Sequence, residues 1–136
     1  MEKYIKSELL ISAALDAREN AYAPYSNFFV GAALETANGE IYTGCNIESA
    51  SFSGTVCAER VALTKAVSEG KTEFVALAIV GGGEEGVREL CAPCGICRQM
   101  LAEFCSDDMP VILAVDLDNY EQTTLGELLP RAFRSF

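Results

Sequence analysis

The sequence predicts an α/β protein, a three-layer α/β/α arrangement around a mixed central sheet. Three observations point there. Two continuous apolar runs, "FVALAIVG" and "VILAV", have the length and composition of buried strands. Each follows a stretch of helical length, "CAERVALTKAVSEG" and "CGICRQMLAEFC". Two further segments, "FFVGAALET" and "EIYTG", flank "ANG", the pattern of a hairpin turning at Asn38-Gly39. Strands that alternate with helices bury their faces by layering the helices over the sheet.

Taken in order, residues 5–22 read as a helix, because Ile5, Leu9, Ala13, Ala17 and Ala21 recur near helical spacing. Pro24 breaks it, since proline has no amide hydrogen to give a helix. The hairpin follows, and "CNIES" continues as an extended segment. The helix of residues 57–70 is stopped by Gly70, and the first buried strand comes next. "GGEEGVREL", in the loop 81–90, has no pattern that places it. The second helix opens on Cys94, with Pro93 suited to its entry. After the second buried strand, "DLDNY" turns the chain, and "LGELL" is a short helix stopped by Pro130. There is no internal repeat or linker, so residues 1–136 read as a single domain.

The chain carries 20 acidic and 10 basic residues, a net charge of −10, with the basic ones scattered. Proteins that bind polynucleotides or anionic membranes concentrate positive charge on one face. This composition therefore argues against DNA, RNA and membrane surfaces and is compatible with a small neutral ligand. The start, "MEKYIKSELL", is too charged for a signal peptide, and no apolar run reaches spanning length. The expectation is a cytoplasmic protein with reduced thiols, which favours metal or catalytic use of cysteine over disulfides.

There are six cysteines and no histidine. Cys94 and Cys97, on the first turn of a helix, aim two sulfurs at one point. A third ligand comes from one of two places. Cys91 would extend the run to C-x-x-C-x-x-C, an iron–sulfur-like spacing, but it lies beyond Pro93 in the loop. Cys57 is the better choice: it begins the other strong helix, so two adjacent helix N-termini would direct their positive ends at one metal. Three protein ligands leave a tetrahedral zinc one open position, the mark of a catalytic rather than a structural site. Three thiolates leave such a site at −1, and Arg60, within a turn of Cys57, is the compensating cation. Glu59, two residues after Cys57, can reach the open position and move protons there. Cys45, Cys91 and Cys105 read as packing thiols, with some room left for Cys91 to compete for metal.

"C-A-E" followed by "P-C-x-x-C" resembles the signature of zinc-dependent nucleobase deaminases in its three-cysteine form. "APYSNFFVGAAL", "GCNIE", "CAERVAL", "KAVSEG", "PCGICRQ" and "ELLPRAF" narrow the resemblance to the small cytidine deaminases over roughly residues 15–133. The resemblance implies a homotetramer with one zinc per subunit that converts cytidine and deoxycytidine to the uridine products plus ammonia. It implies that zinc-activated water attacks C4 while Glu59 shuttles protons, in pyrimidine salvage. It also implies the substrate side. Asn46 and Glu48 bind the ribose 3′-hydroxyl, Phe28 contacts the base, and Ala58 offers its backbone N–H to the pyrimidine carbonyl. The Pro93 carbonyl lies near the leaving ammonia, while Ala50 and Phe133 are lent across subunit interfaces.

Alternation in "GCNIES" agrees with that pairing, because residues two apart share a face: Asn46 and Glu48 face a cleft, Cys45 and Ile47 the core. Phe52 departs from the family, which usually has tyrosine there. Two other readings remain: a deaminase of a different cytosine nucleoside, and a non-catalytic cysteine-ligated metal module.

Overall fold

The computed structural model describes residues 2–136, with side chains from residue 6 onward, so Ile5 of the expected helix stripe lies outside the described side chains. The chain forms α1 (Glu2–Arg18), β1 (Phe29–Thr36), β2 (Ile41–Cys45), α2 (Ala58–Ser68), β3 (Phe74–Gly82), α3 (Gly95–Phe104), β4 (Pro110–Ala114), β5 (Tyr120–Thr124) and α4 (Leu125–Leu128). A single 3₁₀ turn, Phe52–Gly54, precedes α2. The strands lie in the order β2-β1-β3-β4-β5. Only β3 and β4 run parallel, so the sheet is mixed, as expected.

Period-two alternation splits the strands between two cores. Ala32 and Leu34 of β1, Leu77 and Ile79 of β3, and Val111 and Leu113 of β4 pack with Ala62 and Leu63 of α2 and Leu101 of α3. Ala33, Ala78, Val80, Ile112 and Ala114 turn the other way, onto Leu10, Ile11 and Ala14 of α1. Full burial of a leucine-sized side chain is worth about 1.5–3 kcal/mol, so these layers dominate the holding energy. Close approach is set by glycine. A β-carbon on Gly44 of β2 would lie 2.3 Å from the Ala58 carbonyl oxygen and 2.6 Å from the Ala62 amide, so α2 lies flush on the sheet. Gly31 does the same for α1, where a β-carbon would lie 2.0 Å from the Ala14 carbonyl oxygen.

Four expectations change. Helix α1 ends at Arg18 rather than at residue 22. Its last amides fall back to i→i+3 bonds, and the Arg18 guanidinium reaches out to the carbonyls of Phe29 and Gly82, both at 2.9 Å, and of Gly83. Tyr22 then pairs with the segment around Ile47. Second, β5 was not expected; "YEQTT" has no apolar alternation and forms one of the two edge strands of the sheet. Asp116, accepting from the amides of Asp118 and Asn119 at 2.8 Å, makes the turn that leads into it. Third, the loop 81–90 starts inside β3 and folds back on it through a Gly83–Gly86 bridge. The fourth is Ile47, expected in the core and found 47% exposed. No helix of the described residues is long and apolar enough to cross a membrane.

Candidate metal centre and active site

Cys57 is the N-cap of α2 and Cys94 the N-cap of α3, both with extended backbone. An N-cap side chain ordinarily accepts a bond from the first turn. Neither cysteine does, so both sulfurs are free to act as ligands. Cys97 lies buried one turn further along α3. The Cys57 and Cys94 sulfurs are 3.7 Å apart, those of Cys94 and Cys97 3.4 Å apart, and all three lie within 4.8 Å of one another. A tetrahedral zinc with Zn–S bonds of about 2.3 Å holds its sulfurs about 3.8 Å apart, so the three fit. Thiolates also select zinc over the hard, oxygen-seeking cations. Cys57, Cys94 and Cys97 are therefore positioned to bind a metal.

Cys91 lies outside this group. Its sulfur occupies the space above Gly81, beside the Phe28 ring, and burial pushes its thiol up to about 11. Burial likewise pushes Cys105 up to about 12 and raises Cys45.

The electrostatics favour thiolate at the cluster. A hydrogen bond from Cys97, joined by Arg60, pulls Cys57 down to about 5, and Cys97, holding the shared proton, moves up. Arg60 Nη2 lies 3.7 Å from the Cys57 sulfur and 3.4 Å from the Thr55 carbonyl oxygen. Its Nε is buried with no hydrogen-bond partner among the described residues. An orphaned buried donor on a cation is costly unless negative charge gathers beside it; thiolates of Cys57, Cys94 and Cys97 holding a metal would supply that charge.

Glu59, on the first turn of α2, is 4% exposed. Burial pushes its carboxyl up to about 7, with its own amide, the Cys97 thiol and Arg60 pulling the other way. Ala58 is fully buried on the same turn, and Pro93 is buried just before Cys94. The Pro93 carbonyl accepts from Arg98 Nε at 2.7 Å.

Asn46 and Glu48 are joined to this centre through backbone: Ile47 and Val56 exchange two bonds of 3.0 Å, and Val56 immediately precedes Cys57. The alternation holds, but Ile47, expected in the core, is on the exposed side. Asn46 and Glu48 are 8% and 6% exposed, and the buried side of this segment is the polar one. The reason is the segment 25–30, which covers both side chains and satisfies them. Asn46 accepts from Val30 N at 2.9 Å and donates to the Phe28 carbonyl at 2.8 Å. Glu48 accepts from the amides of Tyr25 (3.0 Å) and Ser26 (3.1 Å) and from the Ser26 hydroxyl. The Ser26 bond is the main cause holding the Glu48 carboxyl below the usual carboxylate value.

Phe28, Phe52 and Phe133 are exposed, and so is Ala50. Phe52 meets Tyr25 edge-on at 6.5 Å. Phe133 stacks on Phe136 at 6.1 Å, and its carbonyl accepts from Gln99 Nε2 at 2.7 Å. Sequence reasoning had no part for Ser26, Arg98 or Gln99. "PYSNF" and "CRQ" carried the signal, a hydroxyl in a proline turn and polar residues beside a ligand, but their partners are distant in sequence.

The family model described as the cytidine and deoxycytidylate deaminase zinc-binding region matches residues 5–113. The chain is 52% identical over 126 residues to a cytidine deaminase of Sporosarcina psychrophila, covering 93% of this chain and 90% of that protein. It is 48% identical to one of Halalkalibacterium halodurans, covering 93% and 92%. Among solved structures, cytidine deaminase from Burkholderia pseudomallei superposes with a TM-score of 0.84 at 46% identity, over 92% of this chain and 97% of that one. The enzyme from Mycobacterium tuberculosis does so at 0.79 and 38% identity, over 93% and 96%.

Proposed function

Because the chain belongs to the cytidine and deoxycytidylate deaminase family, and is a zinc-dependent hydrolytic deaminase, we propose that its substrates are cytidine and deoxycytidine, released as uridine and deoxyuridine plus ammonia. The reading extends to residues 1–136 as one catalytic domain, acting in the cytoplasm in pyrimidine salvage.

The observation that carries the proposal is the placement of Glu59: a carboxylate buried on the first turn of α2, two residues from Cys57 and beside three convergent thiols. A carboxylate within reach of the open metal position can take a proton from water and return it to the reacting groups. Cys57, Cys94 and Cys97 would hold the zinc, which would supply the Lewis acidity that brings the pKa of water toward about 7. Glu59 accepts the proton as water oxygen bonds to C4 and passes it to ring nitrogen N3. As the C4–N4 bond breaks, Glu59 takes the remaining proton from the new C4 hydroxyl, which becomes the uracil carbonyl, and delivers it to the leaving amine, so water and cytidine balance uridine and ammonia. Arg60 offsets the negative charge of the thiolates. The buried amide of Ala58 donates to the pyrimidine carbonyl, and the Pro93 carbonyl receives the departing ammonia. Glu48 and Asn46 take the ribose 3′-hydroxyl. A carboxylate has about four acceptor sites, and three are engaged by Tyr25 and Ser26, which leaves capacity for a hydroxyl. Phe28 packs on the base.

The assembly we propose is a homotetramer in which Phe133 and the Ala50 backbone complete a neighbour's site. Tyr22, Tyr25, Phe28, Ile47, Phe52 and Phe133 are each more than 40% exposed in the protomer, and apolar surface of that extent marks interaction sites.

The test is to give cytidine and deoxycytidine to the zinc-loaded protein and measure ammonia and the uracil nucleoside. Absence of turnover on both sinks the reading. Dissociating and remixing Glu59→Gln with Phe133→Ala, assayed at cytidine too dilute for Phe133→Ala alone to turn over, should restore part of the activity if sites are shared. Hybrids that stay inactive would return Phe133 to its own subunit.

A further inference from the structure

Helix α3 does more than carry Cys97. Arg98, the next residue, is half-buried and spends its guanidinium on two carbonyls far apart in sequence. Its Nε donates to Pro93 at 2.7 Å and its Nη1 to Leu128 at 2.6 Å. Leu128 is the last residue of α4. From there the C-terminal arm turns at Arg131, whose φ is 57°, and packs Ala132 on the core. It then runs along α3, with the Phe133 carbonyl on Gln99, and Arg134 donating to the carbonyls of Ala102 and Cys105. Residues 98, 99, 102 and 105 of the α3 segment thus hold the arm along its length. The arm ends in the exposed Phe133 and Phe136 pair.

A planar guanidinium fork fixes the separation and the relative angle of the two groups it bonds. The two here are the turn between Pro93 and Cys94 and the root of the arm. We infer that Arg98 is a positioning residue for the reaction: it sets the Pro93 carbonyl, while Gln99 beside it sets the height at which Phe133 is presented. This rests on the proposed function. The division of labour is specific. Pro93 adjoins the reacting centre, so its displacement acts after substrate is bound. Phe133 meets the substrate from a neighbouring subunit, so its displacement weakens binding.

The experiment compares Arg98→Met, Arg98→Lys and Gln99→Leu with the wild type. Zinc per chain, assembly mass, melting temperature, kcat and KM on cytidine are all measured. Methionine keeps the bulk of the stem and removes both bonds. Misplacement of a reacting group by an ångström costs about 10²-fold, so Arg98→Met should lower kcat by that order at one zinc per chain. Its KM should change less than about threefold, the pattern of a group felt only in the transition state. Arg98→Lys, which can restore one bond, should recover part of kcat. Gln99→Leu should instead raise KM about tenfold, the scale of one hydrogen bond, with kcat largely kept. General destabilisation would lower the melting temperature without splitting kcat from KM, and that result overturns the inference. So does loss of zinc in proportion to activity in Arg98→Met. The wild type separates the two readings: if it turns cytidine over and Arg98→Met keeps its kcat, only the role of Arg98 falls. A wild type inactive on cytidine removes the proposed function and this inference together.

Discussion

Glu48 and Glu59 are almost equally buried, at 6% and 4% exposure, and their proton affinities move in opposite directions. Glu48 sits under the segment 25–30, where two amides and a hydroxyl point at it, so it is held as an anion. Glu59 is buried beside the Cys57 charge, and its own amide, the Cys97 thiol and Arg60 only partly offset that, so it holds a proton more tightly. On the loop side the chain satisfies its own polar groups and thereby fixes a surface. On the metal side it leaves uncapped cysteines and an orphaned Arg60 Nε, groups that only a bound cation with its thiolates brings to balance. Two environments that push like groups apart are how one site holds both an anchor and a proton carrier.

The largest break in this contrast comes from removing the metal side. Cys57→Ala, Cys94→Ala and Cys97→Ala should each lose zinc and turnover, whereas Cys91→Ala should keep both; elemental analysis of the purified variants decides it. A zinc-free Cys91→Ala beside a zinc-loaded Cys57→Ala would reassign the ligands. Next is Glu59→Gln, which should keep zinc and lose about 10²–10⁴-fold or more in kcat, the typical value of positioned proton transfer. Most of the activity surviving would take Glu59 out of the mechanism. Glu48→Gln should do less, lowering kcat/KM about tenfold or somewhat more, on the scale of a charge-assisted hydrogen bond. The loss should appear mainly in KM, and an unchanged KM would deny Glu48 its contact with the sugar.

The smallest effect is in stability, and it sharpens the contrast by its sign. In the metal-free chain, Glu59 binds its proton up to about 7, against 4.5 for an ordinary glutamate. Between those values the folded chain holds a proton that the unfolded chain has released, so Glu59 weakens the fold as pH rises through the window. Glu59→Gln should therefore gain on the wild type from pH 4.5 to 7, by about 3 kcal/mol or less. Glu48, whose affinity is lowered, has the opposite sign: its contribution is present above the usual carboxylate value and is lost as pH falls below it. Melting curves of chelator-treated protein across pH test both, and a flat Glu59 difference would contradict the burial argument. Added zinc should shrink it, because a nearby cation favours the carboxylate.

The ligand set was legible because its signal is local. Cys57 and Cys94 begin helices, and helix starts can be read from a few neighbouring residues. The sheet was legible at β3 and β4 from their apolar runs and at β1 and β2 from the Asn38-Gly39 turn, and opaque at β5, an edge strand of polar composition with no such turn signal. The end of α1 was misjudged because Ala17 and Ala21 keep helical spacing, while the competing pull on Arg18 comes from carbonyls of residues 29, 82 and 83. Around Asn46 the alternation was correct and its polarity was not. Nothing in five residues says that a segment twenty positions earlier will cover the polar face and leave Ile47 outside. Arg98, Gln99 and Ser26 were invisible for the same reason.

Gly44 has a meaning for how this sequence can drift. It contributes no donor, no charge and no side chain, yet its missing β-carbon is what lets Ala58, and with it Cys57 and Glu59, rest against the sheet. A single methyl there would raise the helix and carry one metal ligand and the proton carrier away from Cys94 and Cys97, which belong to another helix. Exposed loop residues can therefore be exchanged more freely than this one edge-strand position, where even a methyl group meets the backbone of α2. A library screened for activity would find an intolerant site inside a strand that never touches substrate or metal.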